Sequence, residues 1–176
     1  MSLGRTRLVS MDDVPVLTRL AVENREFLAP WDPVRPDDFF TEDCQSGAVI
    51  GALARHADGT ALPQVILDDD GEIVGRITLN GIVRGPFQSC SVGYWVSRPA
   101  NGRGLATSAV GDVVRIAFEE LGLHRVQGET LLHNLASQRV LARNGFERIG
   151  MAPKFLEIAG RWQDHLLFQR LAVGSP

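Results

Sequence analysis

The spacing of apolar residues changes period several times along this chain, and each change predicts an element. Arg5-Thr6-Arg7-Leu8-Val9 reads as a short strand closed by Ser10. Asp12-Asp13 then bring negative charge to the start of a helix, where the dipole favours it, and the apolar positions Val14, Leu17, Leu20, Ala21 and Phe27 follow helical spacing. Ala29-Pro30-Trp31-Asp32-Pro33 breaks that pattern. A second helix is predicted from Pro36-Asp37-Asp38, through Phe39, Phe40, Cys44, Val49, Ile50 and Leu53, to Asp58-Gly59. The period then falls to two. Residues 64–67 and 72–79 read as a hairpin closed by Asp70-Gly71, and residues 90–96 form a further strand after a polar turn at Arg84-Gly85-Pro86. A long helix follows over residues 105–121, with Leu105, Ala109, Val113, Ile116, Ala117 and Leu121 on one face and Gly122 as its C-cap. Residues 124–131 read as a strand, and Asn134 caps a short helix over residues 135–143 that stops at Asn144-Gly145. Residues 146–151 and 155–171 read as paired strands turning near Gly160-Arg161, with residues 171–176 as a loose tail. The order β-α-α-β-β-β-α-β-α-β-β predicts an α/β fold, a single domain over residues 1–176 with one mixed sheet and helices on both faces.

Composition narrows the class. A chain of 176 residues buries a core without staples, and 44% hydrophobic with 22% charged residues is ordinary for a globular domain. A formal charge of −3 argues against a broad nucleic-acid or membrane-surface partner. Cys44 and Cys90 stand far apart with no Cys or His beside them, so neither a disulfide framework nor a zinc pattern is expected. Asp68-Asp69-Asp70 invites a metal reading, but no carboxylates follow at EF-hand spacing, and a solvated hairpin turn accounts for it better. No signal-like core opens the chain and no apolar run reaches membrane length, so a cytoplasmic protein is expected.

The chemistry begins at Val96-Ser97-Arg98-Pro99-Ala100-Asn101-Gly102-Arg103-Gly104-Leu105-Ala106-Thr107. A strand, a Gly-x-Gly turn and a helix start aim several unpaired N–H groups at one point, an arrangement suited to phosphate. Taken alone, the same glycines also serve a plain tight turn. A Walker loop is excluded by Gly104-Leu105-Ala106 where Gly-Lys-Ser/Thr is required, and a dinucleotide fingerprint by Thr107 where a third glycine is required.

A second capped unit, Asn134-Leu135-Ala136-Ser137-Gln138-Arg139-Val140 ending in Gly145-Phe146, lies about thirty residues further on. Together with Asn101-Gly102-Arg103-Gly104-Leu105-Ala106 it resembles the GCN5-related N-acetyltransferases (GNAT), whose acetyl-CoA loop reads Gln/Arg-x-x-Gly-x-Gly/Ala. Asn101 departs from that pattern at its first position. Arg5-Thr6-Arg7-Leu8 with Asp12-Asp13, Asn24-Arg25-Glu26-Phe27-Leu28-Ala29-Pro30-Trp31 and Val92-Gly93-Tyr94-Trp95-Val96 narrow the resemblance to the RimJ/RimL type, which acetylates the N-termini of ribosomal proteins.

The resemblance implies a GNAT fold, a mostly antiparallel sheet splayed at the cofactor strand, with acetyl-CoA as co-substrate. It implies cofactor contacts from Tyr94, Trp95 and Val96, from Gly102, Arg103, Gly104, Leu105, Ala106 and Thr107, and from Asn134 and Ser137. A backbone N–H near Val96 would face the oxyanion. Relatives carry a leaving-group tyrosine where this chain has Leu141, so Ser137 becomes the candidate acid. Glu129 and His133 are candidate bases. Asn24 and Trp31, with Phe39-Phe40, would wall the acceptor. Direct transfer is expected rather than an acyl-enzyme, since neither cysteine has an evident activator. The acceptor the resemblance implies is a protein N-terminus, alanine- or serine-starting and ribosomal, with a small amine such as an antibiotic or polyamine as the alternative, and a non-catalytic acyl-CoA-binding module as a third reading. Oligomeric state stays open, a homodimer included.

Overall fold

A computed structural model describes residues 4–174. Seven strands form one sheet in the order β1-β2-β3-β4-β5-β7-β6. They are β1 (Thr6–Leu8), β2 (Leu62–Leu67), β3 (Ile73–Val83), β4 (Ser89–Val96), β5 (Arg125–Leu131), β6 (Glu147–Ile158) and β7 (Arg161–Leu171). Every neighbouring pair is antiparallel except β4 and β5. The helices are α1 (Val14–Glu23), α2 (Arg25–Leu28), α3 (Glu42–Ala57), α4 (Leu105–Arg115) and α5 (Leu135–Arg143).

The two faces of the sheet carry separate apolar clusters, as alternation of side chains along strands requires. On one face Ile77, Leu79, Val92, Val96 and Val126 pack under Leu105, Ala109 and Val113 of α4 and Leu141 of α5. On the other, Val65 and Ile73 pack under Val14, Leu17 and Leu20 of α1 and Val49 of α3. The predicted mixed sheet with helices on both faces is therefore the observed one. Tyr94 joins the α4–α5 cluster and Trp95 the α1–α3 cluster, so consecutive residues of β4 serve opposite faces.

Several boundaries differ from the sequence expectation. The first helix is interrupted at Asn24, so Phe27 lies on the separate turn α2. Pro36-Asp37-Asp38 starts only one 3-10 turn, Asp37–Phe40; Thr41 then extends and caps α3, its hydroxyl accepting from the Cys44 N–H at 3.3 Å. Ile50, one of the apolar positions of that predicted helix, is exposed. The long helix changes to a π segment over Ile116–Glu120, where Leu121 N–H reaches back five residues to Ile116 O at 2.9 Å. Leu171 is no tail residue, since it pairs with Arg125 as the end of β7. Ser175 and Pro176, predicted loose, lie outside the described residues. The β6–β7 turn at Ala159-Gly160 has positive φ at both positions, which suits the twist of a two-residue hairpin.

One close approach constrains the strand that carries the site. A Cβ on Gly75 would lie 2.2 Å from the Trp95 carbonyl oxygen, closer than any backbone contact tolerates. Gly75→Ala is expected to push β3 from β4 and destabilise the fold by roughly 1–3 kcal/mol, the usual cost of overpacking, read as a lowered urea midpoint. An unchanged midpoint would show that the strands separate without cost.

Candidate active site

Strand β4 pairs with β5 at only three positions, Ser89↔Arg125, Cys90↔Val126 and Ser91↔Gln127. Beyond them each strand continues with its other neighbour, β4 with β3 to Val96 and β5 with β7 to Leu131. Residues 92–96 and 128–131 therefore line the two sides of a splayed gap. Ser97 N–H points to β3, donating to Val74 O at 2.7 Å. Successive residues of a strand aim their N–H groups in opposite directions, so the Val96 N–H points into the gap.

The chain leaves β4 through one 3-10 turn, Arg98–Ala100, and enters α4 at Gly104. Gly102 and Gly104 hold φ of 78° and 79°, a left-handed conformation that glycine adopts without strain. The first helical bond of α4 is Ser108 N–H to Gly104 O at 3.0 Å. The N–H groups of Leu105, Ala106 and Thr107 precede it, at the positive end of an eleven-residue helix. The glycine turn and the open helix start have the geometry that an anion cradle needs.

Two asparagines brace it. Asn101, the position that departs from the family pattern, donates its amide to both Val96 O and Ser97 O at 3.1 Å, tying the loop to the end of β4. Asn24, expected at the acceptor wall, is only 2% exposed. Its Nδ2 donates to Leu20 O at 2.8 Å and its Oδ1 accepts from Arg98 N–H at 2.8 Å, so it joins α1 to the root of the loop. Arg103 leans on the β2–β3 turn, 3.3 Å from Asp69 and 4.0 Å from Asp68. Arg5 pairs with Asp69 as well and, with Arg103, holds its carboxyl below the usual range. The triple aspartate is thus an arginine clamp, and no cluster suited to a metal occurs among the described residues.

Across the gap, Asn134 caps α5 by accepting from Ser137 N–H at 3.1 Å. Ser137 Oγ lies 2.8 Å from the Tyr94 phenol, which also donates to the Ser137 carbonyl at 3.3 Å. Burial pushes the Tyr94 phenol up to about 12, against a smaller opposing effect of the Ser137 hydrogen bond, so it stays protonated at neutral pH. The chain's single tyrosine thus reaches the end of α5 from the strand. Leu141, 1% exposed, fills the space above Gly128 instead; a Cβ on that glycine would lie 3.1 Å from both Leu141 methyls. Thr130, 2% exposed on β5, has no partner for its buried Oγ1, leaving a hydrogen-bonding group available beside the gap.

The opposite face carries a cavity of about 370 Å³ walled by α1, α2, Ala29, residues 32–35, Phe39, Phe40, Arg76 and Trp95. The Trp95 side chain lines this cavity, so only its backbone faces the gap. The β6–β7 turn closes it, with Ala159 N–H donating to Asp32 O at 2.9 Å. Trp31 lies outside its wall and packs on His133, ring centres 5.3 Å apart. Glu129 belongs to this side by alternation from Gly128, and burial raises its carboxyl above the ordinary range. His165, 3% exposed, pairs with Leu131 on the same face; its Nδ1 lies 2.9 Å from Gln163 O. Arg76, Thr130 and His165 were not legible as site residues, because each sits in an ordinary strand pattern. Cys90 is inert: burial pushes its thiol up to about 12.

Residues 5–147 match the acetyltransferase (GNAT) domain family. The chain belongs to that family. It is 36% identical over 163 residues to the [ribosomal protein uS5]-alanine N-acetyltransferase of Escherichia coli, covering 92% of this chain and 84% of that one. Among solved structures it is similar to the ribosomal-protein-S5-alanine acetyltransferase of Vibrio fischeri, at TM-score 0.92, 29% identity and coverage of 100% and 98%. It also resembles Mycobacterium smegmatis RimJ in complex with CoA-disulfide, at TM-score 0.92, 32% identity and coverage of 97% and 83%. The RimJ/RimL resemblance and the GNAT fold are both borne out. No helix among the described residues is long and apolar enough to cross a membrane.

The GNAT co-substrate is acetyl-CoA, and the residues present suit it. Free amides at the start of α4 match a pyrophosphate, and the unpaired backbone edges of the gap match an amide-bearing arm. Asn101→Ala removes two hydrogen bonds that hold the loop on β4. It is expected to weaken acetyl-CoA binding about 5- to 30-fold, as for roughly 1–2 kcal/mol of lost bracing, measured by calorimetry. Wild-type affinity in the variant would mean that the glycine turn keeps its shape unaided.

Proposed function

We propose that this chain transfers acetyl from acetyl-CoA directly to the N-terminal amine of a protein, alanine- or serine-starting and ribosomal in type. The observation that carries the reading is the splayed gap between β4 and β5, with the Val96 N–H turned into it and the α4 amides and the Tyr94–Ser137 pair following from the same strand. The names of the E. coli and V. fischeri relatives support the acceptor class. Bound acetyl-CoA supplies the activated acetyl carbon and a thiolate leaving group.

The protein residues would divide the work as follows. The amides of Gly102 to Thr107 hold the pyrophosphate; the free Nδ2 side of Asn134 and the Thr130 hydroxyl hold the pantetheine arm. The Val96 N–H stabilises the oxyanion that forms as the amine attacks, worth roughly 3–4 kcal/mol for such donors. Ser137 donates a hydrogen bond to the departing sulfur, and Tyr94 orients it. Outright proton donation from a phenol near 12 to a thiolate whose acid has a pKa of ~8.5 would be uphill, so stabilisation by hydrogen bonding is the sounder role. The proton released by the attacking amine passes to Glu129, directly or through water. Trp31 and His133 border the acceptor path, and Asn24 acts from beneath by fixing the loop.

Ser137→Ala and Tyr94→Phe are each expected to lower kcat about 10- to 100-fold with acetyl-CoA affinity retained, the scale of a lost charge-assisted hydrogen bond. CoA release should occur with Ala- or Ser-starting ribosomal peptides and not with polyamines; release with polyamines alone would overturn the acceptor class. A general base works deprotonated, so kcat/KM should fall as pH drops through the raised Glu129 pKa. Glu129→Gln should abolish that acidic limb, and a limb that survives in the variant would assign the base elsewhere.

A further inference from the structure

The cavity on the α1–α3 face holds an uncompensated positive charge. Its charged wall residues are Arg25, Asp32, Arg35 and Arg76, three cations against one anion, in a chain whose formal charge is −3. Three of the four are already engaged. Arg35 bonds Asp32 at 2.9 Å and lies over the Phe39 ring at 4.6 Å. Arg25 bonds Asp37 at 2.6 Å and lies over Phe40 at 4.4 Å. Among the described residues the Arg76 guanidinium, half-buried, has no hydrogen bond or ion pair. Burial, and secondarily the charge of Arg55, pull its pKa down, and no nearby carboxylate opposes them. A guanidinium taken from water without an anion is costly, so the site gains most from a ligand that brings one.

Its position says which part of a ligand would meet it. Arg76 is the direct cross-strand partner of Trp95 on β4, one residue before the Val96 amide. The two side chains share the cavity with Leu17, Ala21, Phe39 and Phe40. An amine placed at the Val96 end of the gap therefore has Arg76 within a residue or two along an extended chain. A planar guanidinium in an apolar recess favours a carboxylate, which it can hold by two parallel hydrogen bonds.

Resting on the protein N-terminus reading above, we propose that the Arg76 cavity selects acceptors with an acidic side chain at the second or third position. Basic acceptors are rejected by the same charge, which also sets polyamines aside.

The test uses synthetic peptides starting with alanine that differ only in Glu, Gln or Lys at the second or third position. CoA release is followed for wild type, Arg76→Gln and Arg76→Glu. Wild type should favour Glu over Gln by about tenfold or more in kcat/KM, and over Lys by more still. Arg76→Gln should erase the preference with unchanged acetyl-CoA affinity and no fall in unfolding midpoint, because it removes a half-buried charge that has no ion pair. Arg76→Glu should invert the order towards Lys, an outcome that misfolding cannot produce. Equal kcat/KM for all wild-type peptides, or a Glu preference that survives in Arg76→Glu, overturns the proposal. Acetyl-CoA binding with no peptide acetylated would instead defeat the N-terminal acceptor reading on which it rests.

Discussion

The parting of β4 from β5 after three paired residues is the constraint on which the site depends. Buried backbone groups are ordinarily paired, and leaving a run of them open inside a sheet is unfavourable. Here the open run lies where the residues that follow, Ser97 to Thr107, fold into a glycine turn and a helix start, another set of unpaired N–H groups. Two deficits of the same kind face one channel. A ligand with a pyrophosphate at one end and amides along its length satisfies both, which is why the cofactor site is a property of the backbone more than of side chains.

That arrangement needs β4 held firmly on its other edge. Gly75 allows β3 to approach Trp95 O, Ser97 N–H bonds Val74 O, and Asn101 and Asn24 tie the exit loop to β4 and to α1. Alternation along β4 then sends consecutive side chains to opposite faces. Tyr94 meets Ser137 on the α4–α5 side, and Trp95 lines the cavity beside Arg76 on the α1–α3 side. One strand thus carries the Ser137 contact, the amide turned into the gap and the cavity wall within three consecutive residues, the three places on which the proposed division of roles rests.

The departures from the expected pattern have local causes. Asn24 lies in a motif that reads as substrate-facing, yet it falls at the break between α1 and α2, where unpaired helix-end groups need a partner and the Arg98 N–H needs an acceptor. The aspartate turn is exposed as expected, but its pairing with Arg5 and Arg103 was not legible, because neither arginine is near it in sequence. The π segment in the long helix is invisible to apolar spacing, since one extra residue per turn shifts the face by less than the width of the stripe.

By itself the sequence determined the seven strands and main helices, the splayed sheet through its family motifs, and the glycine cradle. These rest on short-range periodicity, caps and turn chemistry, which act within a few residues. Tertiary structure alone decided that the single tyrosine serves Ser137, 43 positions away, that Asn24 is a joint, and that Arg76 stands without an anion. Each of these is a contact, or a missing contact, between segments distant in the chain. Pairing and desolvation at such places depend on the packed whole, and no local pattern of residue types carries them.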